Sequence, residues 1–202
     1  DDGHTWSSTT LPRTYTNQSA AYTIVQGDPS AAVDSEGTGW VLYHEVESYF
    51  VDPYSAQHGC NSGPFVVRSR IVLASTTGGA SVQVEPLWEF DDNETGLENG
   101  YLDGPKLVIT PDDTMHFAWY EYHTVEAAAA RRLHYARYVP GIGWGFGEPP
   151  TLAEDKQAGW PHLFADVAGN VYVGWTGFNT ATASYTLFLC PVVDGQCDDI
   201  ID

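Results

Sequence analysis

The sequence predicts an all-β chain built from β-propeller blades: about three four-stranded antiparallel blades that belong to a six- or seven-bladed ring. Two observations predict it. A proline-centred segment recurs at Pro29, Pro105 and Pro161, with spacings of 76 and 56 residues, and such self-similarity marks repeat architectures. Strands such as Val171 to Trp175 also carry bulky residues on both parities, which radially stacked sheets bury on both faces.

Each copy runs from Gly-x-Pro-x through apolar residues and a turn into an aromatic-rich strand. The copies begin at Gly27-Asp28-Pro29-Ser30, Gly104-Pro105-Lys106 and Gly159-Trp160-Pro161-His162. They run into Trp40-Val41-Leu42-Tyr43, His116-Phe117-Ala118-Trp119 and Tyr172-Val173-Gly174-Trp175. In the second copy the glycine stands directly before the proline, so the match there is imperfect. Turn residues at Asp34-Ser35-Glu36-Gly37 and Asp166-Val167-Ala168-Gly169-Asn170 make each unit a tight antiparallel pair. Outer strands follow at Phe65 to Ser75 with Ser81 to Phe90, at Leu133 to Val139 with a short strand near Trp144 to Leu152, and at Tyr185 to Val193. The alanine run within Val125 to Arg132 reads as a turn of helix in a connecting loop. One propeller segment therefore spans 1–202, with blade units at 24–90, 101–153 and 158–202. Residues 1–23 supply the last strand of a preceding or closing blade, and the final blade keeps three strands of its own.

The chain has 8 basic and 27 acidic residues, a formal charge of −19, and its only lysines are Lys106 and Lys156. Such a surface repels nucleic acid and anionic membranes and argues for a neutral or cationic ligand, a metal ion, or a salty extracellular medium. No stretch approaches the roughly 20 apolar residues of a membrane span. There is no basic-then-apolar leader, so the chain reads as a mature or trimmed product. Cys190 and Cys197 flank Pro-Val-Val-Asp-Gly-Gln, a spacing that a hairpin closes as a disulfide. That places the protein in an oxidising compartment: secreted, periplasmic or cell-surface. Cys60 is left as a free thiol or as half of a bridge to another segment.

Asp1-Asp2-Gly3-His4-Thr5-Trp6 matches the core Asp-x-Gly-x-Thr-Trp and resembles the Asp-box of the BNR-repeat, sialidase-like β-propeller superfamily. The resemblance implies that Asp1, Gly3, Thr5 and Trp6 form a structural hairpin between third and fourth strands, away from the active face. It names no activity. A sialidase would also need an arginine cluster on the ligand face, whereas Arg68, Arg70, Arg131, Arg132 and Arg137 map to outer strands or their approaches.

In a propeller the starts of the first strands and the ends of the second surround the central channel. This puts Asp28, Ser30, Asp103, Lys106, Trp160 and His162 beside His44, Glu45, Glu47, Tyr120, Glu121, His123, Thr176 and Asn179. Glu45 and Glu121 occupy equivalent places and could act as an acid/base pair in glycoside hydrolysis, or simply anchor loop amides. His123 with Tyr120 suits a lyase-like proton abstraction. His44, His123 and His162 could converge on Zn2+ or Cu2+. The excursion from Glu47 to Pro64 offers Tyr49 and Tyr54 for stacking on sugars or for packing. Asp91, Asp92 and Glu94 make an oxygen-rich loop for Ca2+ or a solvated acidic one.

The leading expectation is an extracellular, carbohydrate-directed propeller that binds or cleaves glycans, as a glycoside hydrolase or polysaccharide lyase would. Whether it catalyses anything stays open. Its ligand residues are His44, Lys106, Asp103, Trp160, His162, Tyr49 and Tyr54. The alternatives are a structural or assembly module completed by a second chain or second copy, and a secreted metal-binding protein using the histidines of that face.

Overall fold

The computed structural model describes residues 22–49, 65–76, 83–91, 99–125, 128–139, 142–144, 151–155, 159–179, 182–198 and 200. Strands β1 (Tyr22–Val33), β2 (Gly39–Tyr49), β3 (Phe65–Thr76) and β4 (Gln83–Asp91) form one sheet in chain order. The second sheet holds β5 (Asn99–Ile109), β6 (Met115–Val125), β7 (Ala128–Val139) and the two-residue β8 (Gly143–Trp144), with β9 (Thr151–Asp155) also pairing β7. The third holds β10 (Gly159–Ala165), β11 (Val171–Asn179), β12 (Ser184–Val193) and β13 (Gln196–Cys197). Every pairing is antiparallel between neighbours, so each sheet is an up-and-down meander, the blade of a β-propeller.

The sheets stack face to face. Leu42, Ile71 and Leu73 of the first sheet interlock with Leu102, Leu107, Met115, Phe117, Trp119 and Ala136 of the second. Ala118, Leu133 and Tyr135 on the second sheet's other face meet Val171, Val173, Trp175 and Cys190 of the third. The second sheet is thus buried on both sides, as its unbroken apolar run Phe117-Ala118-Trp119 requires.

Serine hydroxyls stitch the first interface where backbone groups would otherwise be orphaned. Ser69 Oγ accepts the Leu102 N–H at 2.9 Å and donates to the Leu102 carbonyl at 3.2 Å. Ser30 Oγ does the same for Leu107, at 3.0 and 3.5 Å. At the turns, Asp34 accepts the amides of Glu36 and Thr38 and the Trp40 indole N–H, and Asp166 accepts those of Ala168 and Asn170. Gly37, Asp113 and Gly169 hold equivalent positive-φ positions there. Ser35 bonds across to the Asp113 carboxylate through both its N–H and its hydroxyl, tying the first turn to the second.

Two features differ from the sequence reading. The expected helical turn is absent where the run is described: from Ala128 onward it is β7, laddered to β6 through Val125↔Ala128, Thr124↔Ala129 and His123↔Ala130. Alanine's helix propensity, a few tenths of a kcal/mol per residue, yields to the pairing that continues the sheet. The third sheet also gains a short fourth strand, β13, tied back to β12 by the Cys190–Cys197 disulfide. The strand expected within residues 1–21, the Asp-box residues Asp1, Gly3, Thr5 and Trp6, and Cys60 lie outside the described residues. No helix among the described residues is long and apolar enough to cross a membrane.

Ser69→Ala should destabilise the fold by about 1–3 kcal/mol in urea denaturation, because it strands the buried Leu102 N–H. A second expectation concerns His116, buried with its Nδ1 at 2.6 Å from the Tyr135 hydroxyl and its Nε2 at 3.3 Å from Thr110 Oγ1. Burial, opposed by Asp112 and reinforced by Arg137, lowers its pKa from 6.5 to about 4. Above pH 6.5 the ring is neutral in both states and costs nothing; as the pH falls from 6.5 to 4 only the unfolded chain takes the proton. Stability should drop across that window by about 3 kcal/mol, and denaturation midpoints of His116→Gln should lack this slope.

Candidate functional site

The site grows from one backbone irregularity repeated three times. The β1–β2 register breaks between Gly27 and Ser30, the β5–β6 register between Asp103 and Lys106, and the β10–β11 register between Gly159 and His162. Proline, lacking an N–H, sits in each gap. The residue before it takes a positive φ: Asp28 at 47°, Gly104 at 58° and Trp160 at 48°. The register also explains the imperfect second copy. Gly27, Asp103 and Gly159 pair with His44, Tyr120 and Thr176, so Asp103 stands at the glycine position and Gly104 at the position of Asp28. The second sheet has exchanged the order of the two residues.

That exchange brings two carboxylates together, because β1 packs beside β5. Asp28 reaches across to Asp103, with His44 between them: His44 Nδ1 lies 3.0 Å from Asp103 Oδ1 and 3.7 Å from Asp28 Oδ2. The imidazole takes the room left by Gly27, whose missing Cβ would fall 3.0 Å from His44 Nε2. Asp103 is oriented by the Tyr120 hydroxyl at 2.7 Å and by the Gly104 N–H at 2.7 Å. The Asp28 side chain is 59% exposed, whereas His44 and Asp103 retain 13% and 23%. The short approach of His44 Nδ1 to Asp103 is out of line for a hydrogen bond, and that buried atom has no hydrogen-bond partner.

The two acids are driven apart electrostatically. Contact with Asp103, then burial, raises the pKa of Asp28 against the opposing pull of His44 and Lys106. Burial works to raise Asp103 as well, but its contacts with His44, Tyr120, Asp28 and the Gly104 N–H outweigh it and hold that group well below the usual carboxylate range. Of the two, Asp103 is therefore the stronger acid and ionises first as the pH rises. Asp28, His44 and Asp103 present donor atoms within 4.8 Å of one another, the geometry of a metal-binding cluster.

The two glutamates lie inside strands rather than in loops. Glu45 is fully buried and accepts the Gln26 amide at 3.1 Å. Glu121, 6% exposed, has Oε2 at 3.1 Å from His134 Nε2 and Oε1 at 3.7 Å from Arg132. They are register-equivalent, facing Arg70 and Arg132 on the third strands. Tyr120 is buried, with its hydroxyl committed to Asp103. Lys106 and His162 follow the bulges of β5 and β10, and Trp160 is 66% exposed on the third. His123 lies in β6 opposite Gly100, Tyr49 ends β2 and Asp91 ends β4, but the side chains of all three lie outside the described residues. So do Tyr54, Asp92 and Glu94. Among the described residues, His44 thus keeps company with two aspartates rather than with other histidines. Sequence reasoning placed Asp28 on this face without pairing it to Asp103; the signal was the Gly-Asp-Pro against Asp-Gly-Pro exchange.

Fold and site together define a partial β-propeller with an acidic, histidine-bearing cluster at its inner strands. No protein-family model and no curated protein sequence matches the chain. Among solved structures it is similar to an endo-arabinase from Bacteroides thetaiotaomicron VPI-5482, at 16% identity and a TM-score of 0.48, covering 83% of this chain but only 56% of that one. It is similar too, at 11% identity and a TM-score of 0.30 over 88% of this chain and 69% of that one, to a structure described under the GH130 family of mannoside phosphorylases, said to contain glycoside hydrolases that target β-1,2 mannosidic linkages in Candida mannan.

Tyr120→Phe removes one donor from Asp103 and should raise that carboxyl's pKa by about one unit, worth ~1.4 kcal/mol. Carbon-detected NMR titration of the side chain would register it; an unmoved Asp103 would mean that Tyr120 does not set its charge.

Proposed function

We propose that the chain presents a glycan-binding face on an extracellular β-propeller, centred on Asp28, His44, Asp103 and Lys106 with Trp160 and His162 at its margin. The observation that carries this reading is the convergence of exchanged bulge residues on neighbouring inner strands. Carboxylates accept hydrogen bonds from sugar hydroxyls, and an exposed indole offers an apolar plate for a pyranose or furanose face. A chain of net charge −19 suits a neutral ligand. The Cys190–Cys197 disulfide supports an oxidising, extracellular setting, and the Asp-box resemblance at Asp1 to Trp6 agrees with a propeller of that superfamily.

Binding is favoured over cleavage by separation and access. Two-carboxylate glycoside hydrolysis needs carboxyl groups about 5–5.5 Å apart for retention or about 6.5–9.5 Å for inversion. Asp28 and Asp103 are in contact, which leaves no room for a glycosidic bond between them. Glu45 and Glu121 are too deeply buried to meet a substrate.

A second reading, assembly with a further blade from a second chain or second copy, has its own support. Ile71, Leu133 and Leu187 pair with His44, Tyr120 and Thr176 and so occupy one equivalent position on the third strands. Ile71 and Leu133 are buried against the next sheet at 0% and 1% exposure, while Leu187 stands 63% exposed on the last. Exposed Phe164 lies on that same sheet, stacked on Tyr172. Leu187→Lys should abolish any higher-order species in native mass spectrometry while leaving glycan binding intact.

The glycan reading is tested on an array of neutral oligosaccharides, followed by calorimetry on the hits. Trp160→Ala and Asp103→Asn should each weaken binding about tenfold or more, or ~1.4 kcal/mol. A parent chain that ignores every sugar, or variants that bind as it does, would sink the proposal.

A further inference from the structure

We infer that Asp28, His44 and Asp103 form a site for one divalent transition-metal ion of the zinc or manganese kind, held through His44 Nδ1 and one oxygen from each carboxylate and open to solvent on the Asp28 side. Metal–nitrogen and metal–oxygen bonds of about 2.0–2.2 Å set neighbouring ligand atoms about 3–3.6 Å apart around a tetrahedral or octahedral ion. The observed separations from His44 Nδ1, 3.0 Å to Asp103 and 3.7 Å to Asp28, are close to the edges of such a polyhedron, and all three donors fall within 4.8 Å of one another.

The rest of the site is built to hold those atoms in place. His44 Nδ1 is buried, makes no in-line hydrogen bond and lies within 4 Å of an oxygen of each carboxylate, as a ligand nitrogen beside two ligand oxygens would. A missing Cβ at Gly27 admits the other side of the ring, so the imidazole cannot turn away without losing its niche. Asp103 is held by the Tyr120 hydroxyl and the Gly104 N–H, the kind of outer partners that orient metal-ligating carboxylates. Two acidic side chains from different sheets are brought into contact in a chain of charge −19, which a bound cation would neutralise.

Donor chemistry selects the ion. An imidazole with two carboxylates suits zinc or manganese, whereas calcium takes six to eight oxygens. With three protein ligands and an exposed Asp28, the ion keeps open positions for water or for a ligand's hydroxyl groups. The site shares side chains with the proposed glycan face but does not depend on that reading, and the test below contains no sugar.

The full chain, stripped with chelator and dialysed, is titrated with Zn2+ and with Mn2+ by calorimetry, with Ca2+ in parallel, and retained metal is counted after gel filtration. One ion per chain is expected, bound at micromolar affinity or tighter, with Ca2+ at least tenfold weaker. His44→Ala and the more exposed Asp28→Asn should each weaken binding at least tenfold while keeping the parent's circular dichroism; Asp198→Asn, elsewhere on the surface, should not. Should His44→Ala fail to fold, Asp28→Asn alone decides. No heat and no retained metal would overturn the inference. So would binding that Asp28→Asn leaves unchanged, which would assign the metal to the general acidity of the surface.

Discussion

The chemistry of this molecule depends on a two-residue interruption of the innermost ladder of each sheet. A regular β1–β2 pairing would send Asp28 into the pleat as one more alternating side chain. The bulge instead holds Asp28-Pro29, Gly104-Pro105 and Trp160-Pro161 out of register. It turns the residue before proline to positive φ and aims that residue's side chain, where it has one, out of the alternating pattern. Proline serves the interruption twice, by omitting the N–H that the gap could not satisfy and by fixing its own φ.

The bulges matter only because the sheets are held in fixed mutual register, and that is the work of a few polar latches within an apolar stack. Leu42, Ile71 and Phe117 supply the non-directional attraction, which alone would tolerate sliding. Ser30 and Ser69, each satisfying both the N–H and the carbonyl of a single β5 residue, do not tolerate it, since a shift of one residue would leave buried backbone groups unpaired. The Ser35–Asp113 link repeats the constraint at the turns. Asp28 therefore meets Asp103, rather than Leu102 or Gly104, because Ser30 is locked to Leu107 a few residues along.

Much of the architecture was legible in the chain. The proline repeat, the turn residues at Asp34 and Asp166 and the two-parity hydrophobicity of the second strands are local signals, and they carry through to three meander sheets. What could not be read was non-local. Alanine 128 to 130 carries no strand signal; its fate was decided by β6 lying alongside. The two-residue β13 is too short to have a pattern, and the disulfide that marks it says nothing of pairing. At the site, residue types on the face were legible, but depth was not: Glu45 and Glu121 read as acids leaving the ends of the second strands, because the lengths of β2 and β6 could not be judged from an apolar pattern that fades before the strand does.

The contrast between the glutamates and the aspartates carries a more general point about repeat proteins. Glu45 and Glu121 recur at the same register position, each opposite an arginine on the third strand. A charge that recurs with its arginine in two successive blades does the same structural job in both, closing the sheet end around a buried polar group; the third sheet has Gly177 opposite Thr186 at that position instead. Asp28 and Asp103 do the reverse. They sit at different positions of the repeat, and they meet only because the second sheet exchanged the order of its glycine and its acid. Had the second copy kept Gly-Asp-Pro, its acid would occupy the place of Gly104 and the position facing His44 would be a glycine with nothing to offer. The polar cluster thus exists through the departure from symmetry, and the residues that break a repeat are where a propeller's individual chemistry should be sought.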